Sequence, residues 1–259
     1  MTLPTRRVNR GSGHSYFLDG VPCDGVTWLR DNGVPKPQLI DWAARTTAGY
    51  AVDHWEELGG LGVAERLRTL ERSRWAVVNE AKVRGTDVHK LAQRLAQGEE
   101  VDVPEHLVGH VDAYLRFVRE WEPVELLVEA VVINRQWRYM GTLDLVAQLA
   151  DGRVWLLDWK TSAKGIFRES ALQLAAYRHA EHYFKPGHQL DGGEVPMPQV
   201  DAAGAVWLRA DGYDLVPCET GDAVFRAFLY AAEVARFNNA PVEDYIGEAL
   251  PPPERTAAA

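Results

Sequence analysis

Residues 141–161 read GTLDLVAQLADGRVWLLDWKT, and their alternation decides the fold class. Leu143, Leu145, Ala147 and Leu149 alternate with Asp144, Val146 and Gln148, the period of a β-strand with two distinct faces. Asp151-Gly152 supplies a turn and Val154-Trp155-Leu156-Leu157 starts a second apolar strand, so the stretch is predicted as a β-hairpin. Asp158 and Lys160 lie near the end of the second strand, on one face and about 6–7 Å apart along it. Asp144 lies in the first strand, and antiparallel pairing carries it alongside them. Two acids and one cation thus converge on one point of a sheet. Two carboxylates offer hard oxygen ligands for Mg²⁺ or Mn²⁺. A lysine beside them can orient or deprotonate a water, or stabilise charge on a phosphate in flight. Metal-assisted hydrolysis of a phosphodiester uses these parts. The plainer reading is a surface hairpin with an ordinary Asp–Lys ion pair. The apolar runs argue for burial instead, and buried charges must be paired or bind metal because their desolvation is expensive.

Downstream, residues 167–184 are predicted as a helix on which Gln173 and Tyr177 share a face. Residues 203–208 and 213–218 form a strand pair around Asp211-Gly212, and residues 222–237 an amphipathic helix. Residues 185–200 are a Pro- and Gly-containing loop, and residues 250–259 a disordered tail. Upstream, VELLVEAVVI (124–133) reads as one central strand, apolar except for Glu125 and Glu129. Helical patterns cover residues 38–58, 63–98 and 105–121. A strand with a bend at Asp19-Gly20 occupies residues 14–22, residues 26–29 are its return strand, and residues 1–13 a loose lead-in. The order of elements gives an α+β (α/β-like) fold: a mixed central β-sheet flanked by helices, with the N-terminal helices as a wall or arch beside the active face.

Gly141-Thr142-Leu143-Asp144, then Asp158-Trp159-Lys160, then Gln173-Leu174-Ala175-Ala176-Tyr177 resembles the GxxD … DxK … QxxxY series of the PD-(D/E)XK nuclease superfamily. More narrowly, it is similar to the RecB-like exonuclease domains of phage and bacterial recombination proteins. The resemblance implies a restriction-endonuclease-like core over residues 80–220, an N-terminal hairpin and helix elaboration over residues 1–60, and one nuclease domain over residues 1–259. It implies Asp144, Asp158, Lys160 and Gln173 as catalytic, and Asp144, Asp158, His89 and Glu129 as ligands of Mg²⁺ or Mn²⁺. His89 enters because Arg84-Gly85-Thr86-Asp87-Val88-His89 before an apolar helix resembles the segment that donates a histidine in such nucleases; a packing or surface histidine is its plainer reading. Glu129 is equally readable as an outward-facing strand residue. Tyr177, Arg84, Lys164 and Arg168 are candidate DNA contacts, Tyr177 alternatively as core. The arginines of residues 63–98, Arg66, Arg68, Arg72 and Arg74 among them, either meet the DNA backbone or form a solvated face balanced by Glu65, Glu71 and Glu80.

Only Cys23 and Cys218 occur among the 259 residues, so neither a disulfide framework nor a four-cysteine iron–sulfur cluster is expected. No apolar run approaches the roughly 20 residues that span a bilayer. The first residues lack the apolar core of a secretory signal, so a cytoplasmic protein without membrane partners is expected, including a phage protein in its host. The net charge of −9 argues against a protein that coats nucleic acid generally. It leaves room for a nuclease, in which metal ions offset acids at the site and a local basic stripe holds phosphates. The expected activity is a DNA exonuclease, with a recombination protein as a further partner. The alternatives are an endonuclease on the same core and a catalytically idle module that grips DNA or a recombination protein.

Overall fold

The structure is a computed structural model and describes residues 5–10, 13–96, 99–184 and 193–250, without the side chains of residues 76–84, 86, 89, 92, 93 and 96. The chain opens on an antiparallel meander of β1 (Arg6–Arg10), β2 (Gly13–Leu18) and β3 (Val21–Gly25). Asp19-Gly20, both at positive φ, makes the bend between β2 and β3. Part of the expected lead-in is therefore a strand. The return strand is β3, and residues 26–29 belong instead to α1 (Val26–Gly33). Val26, Leu29 and Gly33 recur at helical spacing and are all buried. Gly33 is needed for closeness: a Cβ there would lie 1.8 Å from the Ala231 carbonyl oxygen.

The helical pattern of residues 38–58 breaks at His54 into α2 (Pro37–Asp53) and α3 (Trp55–Gly59). Then come α4 (Val63–Ala96), a 3-10 turn and α5 (Val108–Trp121). Residues 124–133 form two strands rather than one, β4 (Val124–Val128) and β5 (Val131–Asn134). They pair with two further strands, β7 (Leu145–Gln148) and β6 (Tyr139–Thr142) respectively. Next are β8 (Val154–Lys160), α6 (Glu169–Arg178), β9 (His182–Phe184), β10 (Val195–Pro196), β11 (Ala202–Arg209), β12 (Gly212–Pro217) and α7 (Asp222–Asn239). The helix expected to run to residue 184 stops at Arg178, because His182, Tyr183 and Phe184 complete the ladder of β5.

The expected single sheet is two mixed sheets, ordered β1-β2-β3-β6-β5-β9-β10 and β12-β11-β8-β7-β4. One antiparallel register nevertheless runs through the division. Val128 faces Leu145 on one side and Val131 faces Thr142 on the other. Between them the Glu129 N–H donates to the Asp144 carbonyl and the Leu143 N–H to the Ala130 carbonyl, both at 3.0 Å. Glu129 adopts φ 49°, and this left-handed residue turns the ladder from one sheet into the other.

Both faces of the second sheet are covered. Val146, Leu156 and Ala203 pack with Leu174, Tyr177 and Phe228 of α6 and α7. Leu145, Ala147, Leu157 and Val206 pack on the other side with Val88 of α4 and Tyr114 and Phe117 of α5. No helix among the described residues is long and apolar enough to cross a membrane.

Candidate active site

The handover between the sheets brings the acids together. Asp144 lies in the bend between β6 and β7, not inside a strand as its alternation suggests, because the chain leaves one sheet there and enters the other. Continuing the register of Leu145 against Leu157 by one step sets Asp144 opposite Asp158. Continuing Val128 against Leu145 sets Glu129 opposite Asp144. Three acids therefore occupy one row across the strands. The Trp159 N–H donates to Asp144 Oδ2 at 2.9 Å. Lys160 pairs through its ammonium with Asp158 Oδ2, and that oxygen accepts no hydrogen bond among the described residues. Gln173 Nε2 donates to Asp158 Oδ1 at 2.9 Å and to the Tyr177 hydroxyl at 3.2 Å. Asp158 is 2% exposed, which makes each of these contacts matter.

Burial, and next the facing Asp158 carboxylate, push the Asp144 pKa well above the usual carboxylate value. Lys160 and the Trp159 N–H oppose the shift, and Glu129 adds to it. Burial also raises Glu129, with Arg7 opposing. The row is thus a place where negative charge on neighbouring carboxylates is disfavoured, a cost that a divalent cation would relieve. The oxygen donors suit Mg²⁺ or Mn²⁺. Among the described residues no three His, Cys, Asp or Glu side chains close into a metal-holding group, and the side chain of His89 lies outside them.

Packing holds the row in place. A Cβ on Gly141 would lie 2.6 Å from Tyr177 Cε1 and 3.0 Å from Val26 Cγ2, so the motif glycine serves close approach. The Tyr16 hydroxyl shares a 2.8 Å hydrogen bond with Thr142 Oγ1 on the strand leading to Asp144. Behind β8, the Trp159 ring packs against Tyr114 and Phe117, with centroids 4.8 and 5.4 Å away. One participant carries no motif in the sequence: Arg30 of α1 donates through Nη1 to Gln173 Oε1.

The candidate DNA contacts separate. Tyr177 is 2% exposed and lies within the core, its hydroxyl accepting from Gln173 Nε2. Lys164 and Arg168 are exposed on the segment between β8 and α6. The side chain of Arg84 lies outside the described residues. Arg66 is spent on structure: it donates to the carbonyls of Leu58, Gly59 and Leu61 and closes the end of α3.

No curated protein matches the sequence. A solved structure titled "Crystal structure of SSO0001" is similar at 14% identity, covering 61% of this chain and 70% of that one, with a TM-score of 0.32. A family model described as the PD-(D/E)XK nuclease superfamily matches residues 54–212, from α3 to the start of β12. That match takes in the acids, the lysine and the glutamine over more than half of the sequence, and the chain belongs to the PD-(D/E)XK nuclease superfamily.

Proposed function

We propose that this chain is a divalent-metal-dependent deoxyribonuclease of the RecB-like type, a single nuclease domain that degrades DNA from its ends in phage or bacterial recombination or repair. The observation that carries the reading is the facing Asp144–Asp158 pair, Asp158 buried and Asp144 half-buried, with Lys160 on one oxygen of Asp158 and Gln173 on the other. The order and spacing of the GxxD, DxK and QxxxY motifs favour the exonuclease branch. Asp144 and Asp158 would hold Mg²⁺ or Mn²⁺, with Glu129 and His89 as further candidates. The ion supplies Lewis acidity at the phosphate and lowers the pKa of water. Lys160, with 27% of its side chain accessible, would stabilise the charge that builds on the phosphate oxygens. Gln173 holds Asp158 Oδ1 so that the carboxylate does not rotate away. Lys164 and Arg168, both exposed, would meet backbone phosphates.

The test is digestion of matched linear and covalently closed circular DNA, single- and double-stranded, with Mg²⁺, Mn²⁺ or EDTA. Lys160→Ala runs beside the parent, with Lys160→Gln to keep a donor on Asp158. Metal-dependent loss of linear DNA alone is expected, with both variants folded and slower by about 10²–10³-fold. Cutting of circles would mark an endonuclease. No cleavage by folded, metal-supplied protein would mark an idle binding module, and full activity in Lys160→Ala would overturn the role of the lysine.

A further inference from the structure

Every atom of the Gln173 amide has a job, and one of its partners lies 143 residues away on α1. A glutamine amide is two-faced: its nitrogen donates and its oxygen accepts. At Gln173, 7% exposed, the nitrogen serves Asp158 Oδ1 and the Tyr177 hydroxyl. Half a turn of the amide would set its oxygen against the Asp158 carboxylate, two acceptors face to face in a buried place. What favours the observed face is the partner of the oxygen. Arg30 carries donors only, so it can hold Oε1 and cannot hold the nitrogen.

Arg30 is itself fixed. Its Nε and Nη2 both lie 2.9 Å from Asp31 Oδ1, and Lys36 Nζ holds the same oxygen at 2.7 Å. The Arg30 side chain is 15% exposed, and its helix is rooted by the fully buried Val26 and Leu29. A planar guanidinium can face Asp31 and Gln173 at once, which a compact ammonium does poorly.

We propose that Arg30 is a positioning residue of the active site, acting through Gln173 to hold the Asp158–Lys160 pair. The proposal rests on the nuclease reading above. It differs from a phosphate contact, which needs an exposed guanidinium and acts without Gln173. It also differs from a local ion pair with Asp31, which would leave the metal site unaffected.

A double-mutant cycle separates these roles. The proteins are the parent, R30A, Q173A, the R30A/Q173A double variant and R30K, which also stands in should R30A not fold. Mn²⁺ alone is titrated calorimetrically without DNA. DNA binding in EDTA and single-turnover cleavage are measured on the same proteins. R30A is expected to weaken Mn²⁺ binding and slow cleavage about 10-fold each, with DNA affinity held within about twofold. R30K should recover part of the loss. In the Q173A background, R30A should add less than about twofold. Losses that multiply in the double variant, an unchanged Mn²⁺ affinity in R30A, or DNA binding weakened equally in both backgrounds would each overturn the proposal. If the parent cleaves no DNA with either metal, the nuclease reading falls, and the Mn²⁺ cycle still decides the role of Arg30.

Discussion

A single methyl group tests how tightly the acids are held. Gly141→Ala drives a Cβ into Tyr177 and Val26, side chains rooted in α6 and α1, and neither has room to retreat. Overpacking of this kind costs about 1–3 kcal/mol, so the variant should unfold at a lower denaturant concentration than the parent with an unchanged slope. A midpoint equal to the parent's would mean that Tyr177 gives way. The acids make a second prediction with a definite sign. The folded state holds the Asp144 proton more tightly than the unfolded chain does, because burial and Asp158 disfavour its charge. Protein in EDTA should therefore lose stability as pH rises from the ordinary carboxylate range through the raised pKa. Asp144→Asn removes that dependence, so its melting temperature in EDTA should overtake the parent's as pH rises from 4 to 8. Parallel melting curves would deny the repulsion. At this scale the sequence is half legible. Spacing along one strand and one helix sets Asp158 beside Lys160 and Gln173 beside Tyr177. Arg30 is invisible, because nothing in Val26-Thr27-Trp28-Leu29-Arg30 marks a partner on another element.

Glu129 shows why the elements were harder to read than the residues. VELLVEAVVI is apolar and β-branched through its length, and nothing in that composition records a residue at φ 49°. The break is legible only with the partner strand in view, where Asp144 leaves the same ladder at the opposing position. A non-glycine residue in the left-handed region costs about 1 kcal/mol, whereas glycine is at home there. Glu129→Gly should accordingly be more stable than Glu129→Ala by about 1 kcal/mol, the reverse of the order in an ordinary strand interior. Equilibrium denaturation of the two variants measures it, and an alanine variant at least as stable would show that the backbone there is free to become regular. The same logic explains residues 182–184. Their apolar content continues the pattern of α6, yet β5 needs a partner and takes them.

Over the whole molecule, the predicted helical arch acquires two feet. α1 stands on the core through Val26 and Leu29 and reaches the site through Arg30. α4 returns at Gly85, where a Cβ would lie 3.1 Å from Thr161 Oγ1, one residue beyond Lys160, and at the fully buried Val88. Between the feet, only Leu58 and Ser73 are buried among the described side chains of residues 37–84, and α2 packs chiefly on α3 and α4. A segment with so little apolar burial opens without unfolding the rest, since its helices are held by local hydrogen bonds more than by a core. Amide exchange should expose this division. Amides of β7 and β8, between two covered faces, should exchange only through global unfolding, with an opening free energy that falls steeply as denaturant is added. Amides of α2 and α3 should open at least about 2 kcal/mol more cheaply and with little denaturant dependence. Equal energies and equal slopes would show the arch to be one cooperative unit with the sheet. The predicted difference would make α2 and α3 the part of the molecule free to move while α1 and the turn of α4 at Gly85 and Val88 stay fixed beside the acids.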